Sequence, residues 1–253
     1  MSAAVAEVAA VAERIRVVVA DDQELFVYGL RMLIESQPDL ELVGTAGDGA
    51  EAVDLVGRTP CDVVLMDIRM PVLSGIEATR RITGGPADPA GPGPRVVVLT
   101  TFQQQEAVFL ALKHGASAFV TKDVTPEVLL GTIRAVHAGD APPASLTGEG
   151  SLGHLVRRHG SVSRQAGVAG IAGAGGAPRT SGASDPDPLA ALSPREREIF
   201  VLAAKGLRNA DIAAAAFVSE ATVKSHVRSI LAKLGLAGRA QIVVLAYESG
   251  LLG

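Results

Sequence analysis

Asp21, Asp22, Asp67, Thr100 and Lys122 are far apart in the chain but are the side-chain types that handle a phosphoryl group or a hard cation. Three carboxylates brought together repel and raise one another's pKa unless a cation neutralises them, and Mg²⁺ is a natural partner for oxygen ligands. A Mg²⁺ that keeps several waters could bridge such acids to an incoming phosphoryl group. An ammonium and a hydroxyl at the same rim are what a phosphorylated aspartate needs around its new oxygens. Taken singly, each has an ordinary explanation: an Asp after a strand caps a turn or helix, a Lys is a solvated charge, and a Thr ends a strand. The functional reading therefore needs the chain to gather all five.

The elements that would gather them are legible. Residues 15–20, 41–46, 62–66, 95–100 and 117–121 are short β-branched or apolar runs separated by stretches of helical spacing. Fivefold strand and helix alternation, with runs that do not alternate in polarity, predicts an α/β, doubly wound five-stranded parallel sheet of flavodoxin-like type, covered on both faces. In such sheets ligands bind beyond the carboxyl ends of the strands at the switch point, here between the first and third strands. Asp21 and Asp22 come directly after the first strand, Asp67 after the third, Thr100 ends the fourth and Lys122 the fifth. The five side chains are expected to converge there.

A second basic set lies near the other end. In Ser219–Leu234, Val223, Val227, Ile230, Leu231 and Leu234 recur at helical spacing, leaving Lys224, Ser225 and Arg228 on another face. Ser193-Pro194-Arg195-Glu196 reads as a capping box opening an earlier helix, which Gly206 stops, and further helices are expected at 209–216, 220–234 and 238–249. This predicts a separate all-α, four-helix domain. A short helix, a tight turn and a basic helix have the shape of a helix-turn-helix, whose second helix enters the major groove of double-stranded DNA. Alone, such a basic face is more often a solvated helix surface than a reader of DNA.

Charge separates the two parts. The chain carries −4 overall, yet residues 188–253 hold 8 Lys and Arg against 5 Asp and Glu. An acidic first part and a basic second part suit a cation or phosphate site in front and a polyanion partner behind. The expected divisions are 15–138, a Gly/Ala/Pro-rich flexible linker at 139–190 with a weakly helical patch at 151–159, and 191–253. Residues 84–94 read as a long loop. Cys61 is the single cysteine, which excludes an internal disulfide and reads as a small core residue. No apolar run reaches the ~20 residues of a membrane helix, and the start has no signal-peptide pattern, so a cytoplasmic protein is expected.

The segments around Ala20-Asp21-Asp22, Met66-Asp67-Ile68-Arg69-Met70-Pro71, Leu99-Thr100-Thr101 and Ala118-Phe119-Val120-Thr121-Lys122 resemble the receiver domain of bacterial two-component response regulators. The resemblance implies that Asp67 takes a phosphoryl group from a sensor histidine kinase. It implies that Asp21, Asp22, Asp67 and the Arg69 backbone carbonyl serve Mg²⁺, that Lys122 contacts the acyl phosphate, and that Thr100 and Phe119 turn inward as a switch. Residues 192–252 resemble the LuxR-type DNA-binding domain of NarL/FixJ regulators. That likeness implies DNA contacts from Lys224, Ser225 and Arg228, Thr222 near phosphate, and a homodimer formed through the last helix. The chain is thus expected to be a regulator and not an enzyme. Two rivals stay open: a phosphohydrolase working through an aspartyl phosphate, which would want an acid where Arg69 stands, and a receiver that binds a small molecule or protein without phosphorylation.

Overall fold

The computed structural model describes residues 14–84, 93–101, 105–140 and 188–251. The predicted helical patch at 151–159 and residues 85–92 of the predicted loop at 84–94 lie outside these.

Five strands, β1 (Ile15–Ala20), β2 (Leu40–Ala46), β3 (Val63–Asp67), β4 (Arg95–Thr100) and β5 (Ala118–Thr121), form one parallel sheet in the order β2-β1-β3-β4-β5. Parallel neighbours need crossovers, and the helices α1 (Glu24–Glu35), α2 (Gly49–Arg58), α3 (Gly75–Thr83), α4 (Gln105–Lys113) and α5 (Pro126–His137) provide them. Alternate strand residues point to opposite faces, so the apolar runs feed two cores. Val18, Val64, Met66, Val98 and Phe119 pack under α2, α3 and α4. Val17, Val19, Leu65, Leu99 and Val120 pack under α1 and α5 through Ile34, Leu129 and Ile133. The third strand was expected to begin at Asp62. It begins at Val63; just ahead of it the Asp62 carboxylate pairs with Arg16, whose Nη2 donates to Oδ1 at 2.8 Å and whose backbone N–H donates to Oδ2 at 2.8 Å. Cys61 is half-buried against the first core, and burial pushes its thiol up to about 11.

Four further helices, α6 (Pro194–Ala204), α7 (Asn209–Ala216), α8 (Glu220–Leu234) and α9 (Arg239–Glu248), build the second unit. The predicted capping box is present: Ser193 Oγ accepts from Glu196 N–H at 3.3 Å, and Glu196 Oε2 accepts from Ser193 N–H at 2.8 Å. Glu196 also accepts from Ser229 Oγ at 2.6 Å and pairs with Lys233 at 2.7 Å, which ties α6 to α8. Its carboxyl is held well below the usual range, first by Lys233 and then by Ser229. Phe200, Ile212, Val223, Val227, Ile230 and Ile242 fill the core, and Leu189, ahead of α6, is buried with them.

The two units touch. Val108, Ala111 and Leu112 of α4 share a cluster with Ala240, Val243 and Val244 of α9, with Tyr247 at its edge. Arg95 Nη1 donates to the Ala237 carbonyl at 2.6 Å, and Lys113 pairs with Glu248 at 2.8 Å.

Candidate functional site: an acidic cluster at the sheet edge and a basic helix

Because β1 lies between β2 and β3, the crossovers from β1 and β3 leave on opposite sides, and a crevice opens at their carboxyl ends. The structure puts one carboxylate oxygen from each of Asp21, Asp22 and Asp67 within 4.8 Å of the others. Asp21 and Asp67 are buried, whereas Asp22 is exposed at the rim. Lys122 Nζ reaches in from beyond β5, 2.6 Å from Asp21 Oδ2 and 3.3 Å from Asp67 Oδ2. Its ammonium lies over the ring of Phe26, 4.9 Å from the centroid, so α1 helps to aim it.

Asp67 sits at the tip of β3. Its Oδ1 accepts from the Ile68 N–H at 2.8 Å, leaving Oδ2 toward Lys122 and the crevice. Burial is the main cause that raises its pKa, and the Asp21 charge adds to it, while Lys122 opposes both. The backbone behind Asp67 is pinned by a close approach. A Cβ at Gly75 would lie 1.8 Å from the Asp67 carbonyl oxygen, so only glycine allows α3 to start there.

Three oxygens, two buried and one at the solvent edge, suit a hard divalent cation that keeps part of its water. Asp21 Oδ2 supports this fit: it is buried and lacks an aligned hydrogen bond, with only the Lys122 ammonium beside it. Arg69 stands two residues past Asp67 with its side chain exposed, so no acid occupies that place.

Thr100 is buried at the end of β4, and its Oγ1 donates to the Thr101 carbonyl at 3.0 Å. Phe119 is buried in β5 within the α4-side core. Strand order therefore brings all five predicted residues to the same sheet edge, with Lys122 in direct contact with both Asp21 and Asp67. Phe26 was missed by sequence reasoning, because nothing in its spacing marks it as the rest for a lysine 96 residues away.

On the second unit, Lys224, Ser225 and Arg228 are exposed on one side of α8 while Val223, Val227 and Ile230 are buried on the other. Ser219 caps the helix by accepting from the Thr222 N–H at 3.1 Å, and the two hydroxyls lie 2.8 Å apart. Phe217, which closes α7 at φ 55 and is 94% exposed, was also missed. Arg95 at the foot of β4 feels Arg228: burial first, and then that like charge, lower its pKa.

Residues 17–134 match the response regulator receiver domain, and residues 190–246 match the bacterial regulatory proteins of the luxR family. Over 240 residues the chain is 37% identical to the uncharacterized transcriptional regulatory protein YxjL of Bacillus subtilis (strain 168), covering 95% of this chain and 98% of that one. It is 36% identical over 239 residues to the oxygen regulatory protein NreC of Staphylococcus aureus (strain JH9), covering 94% and 99%. A solved structure of the response regulator ChrA of a heme-sensing two-component system is 30% identical, with 94% and 99% covered and a TM-score of 0.43. The chain belongs to the two-component response regulators that join a receiver to a LuxR-type DNA-binding domain. This is a family of transcriptional regulators and not of enzymes. Among the described residues no single helix is long and apolar enough to cross a membrane.

Proposed function

We propose that Asp67 is the phosphoacceptor of a sensor histidine kinase, and that its phosphorylation frees the LuxR-type domain to bind DNA as a homodimer in the cytoplasm. The observation that carries this reading is the meeting of Asp21, Asp67 and Lys122 at one sheet edge, with Lys122 Nζ 2.6 and 3.3 Å from the two carboxylates. An Asp67 Oδ2 lone pair attacks the phosphorus of a phosphohistidine. The O–P bond forms as the P–N bond breaks, and the imidazole nitrogen keeps the electron pair. Asp21, Asp22 and the Arg69 carbonyl would hold Mg²⁺ together with Asp67, and the cation would neutralise charge gathering on the transferred group. Lys122 then faces the acyl phosphate.

Phosphorylation adds roughly 1.5 to 2 negative charges and strong acceptor oxygens. To donate to them, Thr100 must break its bond to the Thr101 carbonyl, vacating space into which Phe119 can shift. Phe119 shares its core with α4, and α4 covers α9, so this movement bears on the contact that occupies the helix assigned to dimerisation. Lys224, Ser225 and Arg228 would then meet base edges or phosphates, with Thr222 near phosphate. Neither rival gains a specific observation: Arg69 stands where a hydrolase wants an acid, and a purely binding receiver has no need of the buried Asp21–Lys122–Asp67 set.

The test is DNA affinity of the full chain with and without a small acyl-phosphate donor and Mg²⁺. Wild type should label and bind more tightly, whereas Asp67→Asn should do neither. Undiminished labelling of Asp67→Asn refutes the assignment.

A further inference from the structure

The amino end of α7, the helix leading into the DNA-reading helix, is completed by a residue just past α5, the last helix of the sheet unit. Arg208 precedes α7 and offers no side-chain cap. The Asn209 N–H donates instead to Asp140 Oδ1 at 3.0 Å, 69 residues earlier in the chain. Asp140 is placed by the end of α5, where Gly139 turns at φ 73 and the Asp140 N–H donates to the Ala135 carbonyl at 2.8 Å. A helix start carries partial positive charge, and a carboxylate there is favourable.

The charge of Asp140 is also felt by a buried cation that lines the same small cavity. Arg239, at the start of α9, is only 8% exposed. Its Nη1 donates to Asn209 Oδ1 at 2.6 Å and its Nη2 donates to the Leu207 carbonyl, both neutral acceptors. Burial lowers the Arg239 pKa to about 10, and the negative charge that acts against this is that of Asp140. Asn209, fully buried, bridges the two. A buried guanidinium without a counter-charge is strongly unfavourable, so losing Asp140 is felt at both α7 and α9.

We propose that Asp140 is a latch: its carboxylate, spanning α7 and α9, holds the two domains in the closed arrangement, and its release accompanies opening. This rests on the reading that α9 must be uncovered for activation. Other polar ties across the seam among the described residues are weaker candidates for that role. Lys113–Glu248 is an ion pair with both side chains well exposed, and the donations from Arg95 to Ala237 and from Gln241 Nε2 to Lys113 end on neutral carbonyls. Asp140 is held to α5 by its own N–H, so separation of the two units has to break its contact with the Asn209 N–H.

The test uses the full chain with the Cys61→Ser background and spin labels at Glu35→Cys and Lys205→Cys, both on exposed positions of different domains. Without phosphodonor, the distance distribution should be dominated by one population. Asp140→Ala should raise the share of longer distances and tighten DNA binding by roughly tenfold, the size expected for one charge-assisted cap. Asp140→Asn keeps an acceptor oxygen but no charge, and should fall between. A merely structural role would lower the thermal stability of the DNA-binding domain and weaken DNA binding instead, and that result overturns the latch. If Asp140→Ala fails to fold, Asp140→Asn decides: longer distances support the proposal and an unchanged distribution rejects it. The distance readout needs neither phosphate nor DNA, so failure of Asp67 labelling is a separate outcome.

Discussion

Replacing Gly75 by Ala would put a methyl group 1.8 Å from the Asp67 carbonyl oxygen, 2.8 Å from its carbon and 3.1 Å from Met66 Cγ. Side-chain flexibility offers little relief, because the first two atoms are backbone. Asp67 is held by pairing with Leu99 of β4, and the Gly75 N–H donates to the Ile68 carbonyl at 2.9 Å. Either the tip of β3 or the start of α3 must therefore retreat by about 1 Å or more. Forcing extra atoms into a packed interior costs typically about 1–3 kcal/mol, and a clash against backbone belongs at the upper end. For a domain of this size, about 3 kcal/mol corresponds to a melting temperature lower by roughly 10 °C. A displacement near 1 Å at a reacting carboxylate can cost on the order of 100-fold in rate. Circular-dichroism melting and the initial rate of labelling by a small acyl phosphate with Mg²⁺ measure both consequences. A Gly75→Ala protein with unaltered melting and unaltered labelling would refute the close packing behind Asp67.

The geometry carries three other expectations. Changing Lys224 and Arg228 together to Ala should weaken DNA binding and flatten its logarithmic salt dependence by about 2, one unit per lost phosphate contact; titrations across a salt series measure this. Asp67 has a pKa raised by burial and by Asp21, so the folded state binds its proton more tightly than the unfolded chain does. Stability therefore falls as pH climbs from about 4, the unfolded value, through the raised folded value, and Asp67→Asn should melt higher than wild type at neutral pH without metal. That gap should close toward pH 4 and narrow with Mg²⁺, as thermal melts at several pH values will show. Phe217→Asn should leave the second domain as stable or slightly more stable, by up to about 1 kcal/mol, because Asn tolerates the left-handed backbone at φ 55 and the lost ring is 94% exposed. Chemical denaturation of the second domain reads that difference.

The acidic site was legible because it depends on strand ends. Apolar runs mark where Ala20, Met66, Leu99 and Val120 lie in the sheet, and parallel topology then forces the residues just beyond them to one edge. The capping box at Ser193 and Glu196 was equally local, since both partners lie within one turn. Features that depend on distant partners stayed hidden. Nothing near Asp140 announces that its carboxylate caps a helix 69 residues on, and nothing near Arg95 points to a carbonyl 142 residues away. The burial of Arg239 was hidden for the same reason: a basic residue opening a helix looks solvated until Asn209 and Leu207 are placed beside it. Phe217 lay in a turn that reads as ordinary, and its left-handed backbone emerges only where α7 must stop for Val218 to reach the core.

Wild-type protein treated with a small acyl-phosphate donor and Mg²⁺, trapped by borohydride reduction and digested, locates the modified residue directly by peptide mass spectrometry. Reduction should convert the residue at position 67 alone, and chelating the metal should abolish the conversion. A modification mapped to another residue, or one undiminished by chelation, would contradict the assignment of Asp67 as a metal-assisted phosphoacceptor.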